Sequence, residues 1–166
     1  FTGWKDVQER FPEYTVINRG FGGSSLPHVI MYADDVIFKY EPKQVVIYCG
    51  ENDAAAGGKV TADTITNRFI TLFNMIRERL PEADIAFVSM KPSPSRVKFR
   101  DVITTANDRI KAFLEKHPNT AYIDFYSKML DANGAPISTL FRSDSLHMTK
   151  QGYDIWTEAI GPYLKK

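Results

Sequence analysis

A single cysteine, Cys49, is the whole thiol content of the 166-residue chain. An internal disulfide and a zinc site built on cysteines are therefore excluded. Charge of one sign is equally scarce: 21 basic against 20 acidic residues leave a net charge of +1. That balance carries neither the footprint of a nucleic-acid binder nor a polybasic membrane anchor. No apolar run approaches the ~20 residues of a membrane span. The glycine-rich loop Arg19–Ser25 lacks a Walker lysine and the G-x-G-x-x-G spacing, so it is not read as a nucleotide loop. Histidine is limited to three positions, His28, His117 and His147. Repeats, low-complexity tracts and linkers are missing, which points to one domain over residues 1–166, large enough for a full core.

What is present is an alternation of short β-branched runs and amphipathic stretches. Phe1 to Phe11 reads as a helix, with Trp4, Val7 and Phe11 on one face and Pro12 as its stop. Tyr14–Asn18 reads as a strand, and a helix capped by Ser25 with Pro27 in its first turn reads on to Tyr40. Gln44–Tyr48 has the pattern of a buried parallel strand. Thr61 caps a helix to Leu80 whose stripe is Ile65, Phe69, Leu72, Ile76 and Leu80. Ala83–Met90 and Thr120–Phe125 read as core strands around a helix from about Val97 to His117. Thr149 caps the last helix. The order predicts a parallel α/β sheet with helices on both faces.

The carboxyl end of the Gln44–Tyr48 strand continues into Cys49-Gly50-Glu51-Asn52-Asp53. Open α/β sheets bind ligands at that edge, and Asn52 there could aim an N–H at a developing negative oxygen. Alternatively, Asn52 is a turn residue and Cys49 a small core side chain. His147 lies three residues after Asp144, ahead of a capped helix. A carboxylate on one ring nitrogen fixes the tautomer and frees the other nitrogen as a base. The same pair could be a helix cap with a surface charge, and a metal reading lacks a third ligand. His28 and His117 read as surface residues, the latter suited to a helix C-terminus. Gly22-Gly23 is either a tight turn or an anion cradle of free N–H groups. Asn107 is the odd polar residue on an apolar helix face; it is expected to hydrogen-bond a loop at the carboxyl edge of the sheet.

Taken in order, Asn18-Arg19-Gly20-Phe21-Gly22-Gly23, then Gly50-Glu51-Asn52-Asp53, then Asp144-Ser145-Leu146-His147 with Gly152-Tyr153, resemble the SGNH hydrolases, also called GDSL esterases/lipases. The resemblance spans the chain and includes three of the family's four signature blocks. It implies a flavodoxin-like three-layer α/β/α sandwich with a five-stranded parallel sheet. It also implies an esterase that needs no cofactor, with His147 as general base, Asp144 orienting it, and Gly23 and Asn52 donating N–H groups to the oxyanion hole. A small-molecule or carbohydrate ester is the implied partner, with short loops favouring short acyl groups such as acetyl over long-chain lipid. A lysophospholipase- or thioesterase-type lipid esterase, a serine-less module binding a carbohydrate or anion on the same fold, and a flavodoxin-like carrier are the alternatives.

The fourth block, with the nucleophilic serine, is not in the sequence. In the family a tryptophan such as Trp4 follows that serine closely, which places it ahead of Phe1 together with a central strand. An empty central lane would leave two rows of backbone groups unpaired at about 1–3 kcal/mol each, more than marginal stability absorbs. The expectation is a longer parent protein. An intact mass above 18.9 kDa is the expected measurement, and a mass at that value refutes it. Ser24 and Ser25 suit helix capping, and Ser145 lies inside the Asp/His turn, so none of them is read as the nucleophile.

Overall fold

The structure is a computed structural model that describes all 166 residues. Its sheet has three parallel strands, β1 (Gln44–Ile47), β2 (Asp84–Val88) and β3 (Thr120–Ile123), in that spatial order. Val45 pairs with Ile85 and Val46 with Ala86, while Phe87 pairs with Tyr122 and Val88 with Ile123. The helices are α1 (Val7–Arg10), α2 (Leu26–Met31), α3 (Ala33–Val36), α4 (Glu51–Ala55), α5 (Ala62–Arg79), α6 (Arg100–Leu114) and α7 (Lys150–Ile160).

Side chains alternate across a strand, so each strand feeds both layers. Ile47, Ile85 and Phe87 face α5, α6 and the α2–α3 segment, where Leu26, Phe69, Phe73 and Ile110 complete one core. Ala86, Val88 and Ile123 face the other way, onto Trp4, Phe125, Trp156 and Ile160. Strands buried on both faces explain the continuous apolar runs. Of the α5 stripe, Ile65, Phe69, Leu72 and Ile76 are fully inaccessible, while Leu80 stands past the last helical residue as the C-cap and is half-buried. Thr61 and Thr64 cap it reciprocally, each hydroxyl accepting the other's backbone N–H. None of the helices is long and apolar enough to cross a membrane.

Several expected elements differ. Residues Phe1 to Phe11 are helical only over Val7–Arg10, because a tight turn joining the Trp4 N–H to the Phe1 carbonyl occupies the start. Trp4 and Phe11 are nonetheless buried. Tyr14–Asn18 is extended but joins no sheet. One side chain meets two of its backbone groups instead: Gln8 donates to the Tyr14 carbonyl at 2.8 Å and accepts from the Val16 N–H at 2.8 Å. Of the five strands the family resemblance implies, the sheet has three, and β1 pairs on one side only, with β2. The single helix expected up to Tyr40 is broken at Tyr32 and ends in a 3-10 turn, with Glu41 in the left-handed region at φ 44°. The helix expected from Val97 begins at Arg100, after a 3-10 turn over Pro94–Phe99; Val97 is therefore exposed. Ser25 stands at the α2 N-cap, Pro27 follows in its first turn, and the His28 ring accepts from the Ser25 N–H at 3.2 Å.

Asn107 sits on α6, 4 % exposed. Its carboxamide clamps one residue just beyond β2, accepting from the Met90 N–H and donating to the Met90 carbonyl, both at 3.0 Å. Replacing Asn107 by leucine strands both Met90 groups in the core. A loss of about 2–4 kcal/mol is expected from two orphaned groups, measured as a urea midpoint shift at constant slope.

Candidate active site

Three loops leave the carboxyl ends of the strands and meet at one edge of the sheet. After β1 the chain turns at Gly50, whose φ of 129° suits glycine, and enters α4 with Asn52 in its first turn. A Cβ at Gly50 would lie 2.6 Å from the Met90 sulfur, so the loops after β1 and β2 approach each other through this glycine. Asp53, fully buried, ties α4 to two neighbours: it accepts from the Leu26 N–H at 2.9 Å and from Arg68 at 2.7 Å.

Asn52 donates one carboxamide N–H to the Ser24 carbonyl at 2.9 Å. That bond fixes the side chain beside the Gly22-Gly23 loop and leaves the second N–H of its amide uncommitted. Gly23 has a φ of 69°, open space around its Cα, and a backbone N–H with no acceptor in the protein. The sequence-predicted donors Gly23 and Asn52 are thus brought together.

Asp144 and His147 are also brought together, in a tight turn between Phe141 and Met148, which bridge in antiparallel fashion. Asp144 Oδ1 accepts the backbone N–H of Leu146 and of His147, each at 2.9 Å, and Oδ2 accepts from His147 Nδ1 at 2.6 Å. The His147 contact, then the two backbone donors, hold this carboxyl well below the usual carboxylate range. Its contribution to the turn is complete above the ordinary Asp value of about 4 and is lost only as pH falls from there towards the lowered one. With Nδ1–H committed to Asp144, His147 Nε2 carries the free lone pair. The His147 side chain is 63 % exposed, open to a reactant.

Two contacts join these halves through the loop after β2. Ser95 donates its N–H to the Ser145 carbonyl at 3.0 Å, and Arg96 reaches the Asn52 Oδ1 at 3.4 Å. Beneath them lies a buried polar network the sequence reading missed. Glu51 Oε2 accepts from Lys91 Nζ at 2.6 Å and from the Tyr48 hydroxyl at 2.5 Å, and Oε1 accepts from Ser93 at 2.8 Å. Both charged side chains are less than a tenth exposed. The one available signal was a lysine directly after a core strand and before Pro92, a position where a charge must be buried or turn outward.

The remaining candidates are structural. Ser24 supplies its carbonyl to Asn52, and Ser145 stands at φ 57° inside the Asp144 turn. His117 closes the end of α6 with Nδ1 at 2.8 Å from the Phe113 carbonyl. Cys49 is buried, and burial pushes its thiol up to about 12. Its alkylation by iodoacetamide at pH 8 is therefore expected to be negligible in the native protein and to appear on unfolding in urea; modification of the folded chain at the rate of a free thiol would contradict it. The groups of acidic, histidine and cysteine side chains include no set that could hold a metal ion.

Comparison with curated protein sequences finds no match. Solved structures share the fold. A candidate acylhydrolase from Bacteroides fragilis superposes with a TM-score of 0.83 at 22% identity, covering 98% of this chain and 80% of its own. A GDSL-like lipase from Bacteroides thetaiotaomicron gives 0.82 at 23% identity, covering 98% and 82%. A mutant of an acetyl-xylooligosaccharide esterase from Geobacillus Stearmophilus gives 0.72 at 18% identity, covering 92% and 74%. The family model for GDSL-like lipase/acylhydrolase matches residues 1–155, and on that match the chain belongs to the GDSL-like lipase/acylhydrolase family of hydrolases.

Proposed function

We propose that this hydrolase cleaves carboxylic esters by serine acyl transfer through an acyl-enzyme, on short acyl groups such as the acetyl esters of carbohydrate. His147 Nε2 takes the proton of the attacking hydroxyl and returns it to the leaving alcohol. Asp144 holds the ring in that tautomer and stabilises the imidazolium as it forms. The free N–H of Asn52 and the Gly23 backbone N–H receive the oxyanion. The attacking hydroxyl is assigned to none of Ser24, Ser25 and Ser145. Phe1 lies on the same side as the site, its ring 5.7 Å from that of Tyr48 at the end of β1.

The single observation that carries this reading is the Asp144–His147 pair: a carboxylate held by three donors, with an exposed imidazole whose second nitrogen is free. The short-acyl preference draws on the neighbour named for acetylated xylooligosaccharides.

The test uses the full-length natural protein. Hydrolysis of p-nitrophenyl acetate is expected to exceed that of a long-chain p-nitrophenyl ester; equal or faster turnover of the long chain overturns the short-acyl preference. Asn52→Ala is expected to lower kcat about 10²- to 10³-fold with little change in KM, since the lost donor acts on the transition state. A variant with unchanged kcat removes Asn52 from the oxyanion hole.

A further inference from the structure

Helix α4 carries Glu51, Asn52 and Asp53 in succession, and a cation from a different element reaches each of them. Lys91 lies 2.6 Å from Glu51, and Arg68 lies 2.7 Å from Asp53. Between them, Arg96 Nη2 donates to the Asn52 Oδ1 at 3.4 Å. The outer two contacts are charge pairs. The middle one sets a full positive charge on a neutral carboxamide, and none of the chain's ion pairs includes Arg96. The bond to Asn52 is the one hydrogen bond of the Arg96 side chain, whose Nε is buried without an acceptor. Fixing so long a side chain costs rotamer entropy, and one neutral acceptor offsets little of it.

The loop around Arg96 is pinned on both sides of that contact. The Arg96 N–H donates to the Ser93 carbonyl at 2.8 Å, and the Ser93 hydroxyl donates to Glu51 at 2.8 Å. On the other side the Ser95 N–H holds the Ser145 carbonyl at 3.0 Å. What the guanidinium does to Asn52 follows from amide chemistry. A carboxamide has a donor end and an acceptor end, which exchange places by a half-turn. With Nδ2 on the Ser24 carbonyl and Oδ1 on Arg96, both ends are matched. After a half-turn, oxygen would face oxygen and donor would face donor. A cation on Oδ1 also draws electron density out of the amide, which makes its remaining N–H a stronger donor.

We infer that Arg96 is a positioning residue for ester hydrolysis: it locks the Asn52 carboxamide with an N–H towards the reacting carbonyl and strengthens that donor as the oxyanion forms. This role rests on the reading of Asn52 as an oxyanion donor. Glu51 and Asp53 already match their own cations. The negative charge that Arg96 lacks is the one the tetrahedral intermediate develops, so the unmatched cation favours the transition state over the neutral ester. A guanidinium that only stapled the loop would act on stability; one that acts through Asn52 lowers kcat when it is lost and does so only while Asn52 is present.

A double-mutant cycle on the full-length natural protein, assayed with p-nitrophenyl acetate, tests this. Arg96→Met is expected to lower kcat about 10- to 100-fold, the range of a hydrogen bond to a charged group, with KM nearly unchanged. Arg96→Lys keeps the charge without the planar fork and should recover part of the loss. In an Asn52→Ala background, Arg96→Met should lower kcat by less than about threefold more, because the group it acts through is gone. A loss of equal size in both backgrounds overturns the role, and so does a parent-like kcat in folded Arg96→Met. If the methionine variant does not fold, the same cycle with Arg96→Lys decides: a loss confined to the parent background supports the role, and an equal loss in both, or none, overturns it. The ¹⁵N-resolved side-chain N–H signals of Asn52 read the contact without turnover. Arg96→Met should shift them and speed their exchange with water; signals unchanged in position overturn the contact. Parent-like turnover in Asn52→Ala removes the oxyanion reading itself, whereas an impaired Asn52→Ala beside an unaffected Arg96→Met removes Arg96 alone.

Discussion

Replacing His147 by alanine is expected to lower kcat for p-nitrophenyl acetate by about four orders of magnitude, the scale seen when a triad base is lost or mis-set. Stability should hardly move. The side chain is 63 % exposed, and exposed substitutions are usually within about 0.5 kcal/mol, which for a chain of this size is a melting shift of about 2 °C or less. The turn itself survives, because Asp144 still accepts the backbone N–H of residues 146 and 147. Asp144→Asn is the companion variant. It keeps the shape of the turn but offers an N–H where His147 Nδ1–H needs an acceptor, so it should fall by a similar factor through the wrong tautomer. Activity retained in folded His147→Ala would end the triad assignment. A variant that is inactive and unfolded would point instead to a structural role for the turn.

The second large effect concerns stability. Lys91→Met is expected to cost about 3–5 kcal/mol, because it leaves the Glu51 carboxylate buried without its cation. Lys91 and Glu51 are 2.6 Å apart, with side chains only 8 % and 9 % exposed. The Tyr48 and Ser93 hydroxyls would remain on Glu51, which moderates the loss without replacing the charge. In a chain of this length the expected fall in melting temperature is about 6–20 °C. Combining Glu51→Gln with Lys91→Met should recover much of it, since removing both charges removes the uncompensated one. If the single variant melts like the parent, the pair is not a dry ion pair. Catalysis should decline alongside stability: Glu51 precedes Asn52, and the loop of Lys91 and Ser93 carries Arg96, which rests on Asn52. The network therefore links the oxyanion donor to the loop that also supports the Asp144 turn.

The sequence exposed the features that depend on short spacing. The i, i+3, i+4 stripe of α5, the β-branched runs of β1 and β2, the Asp-x-x-His turn and the Asn107 clamp were all legible, because each rests on neighbours within a few residues or on one polar side chain in an apolar row. The misread segments share a different cause. Tyr14–Asn18 has strand composition, yet a strand exists only with a partner, and here the Gln8 side chain takes the Tyr14 carbonyl and the Val16 N–H. The helix expected from about Val97 begins at Arg100, because Val97–Phe99 complete a 3-10 turn that starts at Pro94.

The buried Glu51–Lys91 pair shows the same boundary. Nothing in the local pattern near position 91 marks a buried cation, because its partner lies 40 residues away in sequence. Sequence alone determined the sheet's direction and its two-sided burial, since alternation and spacing are local properties of the chain, and the family resemblance singled out the candidate site residues. Only the tertiary structure decided which carboxylate meets which cation and that Arg96 reaches Asn52, because those juxtapositions are made by loops from different strands converging at the same edge.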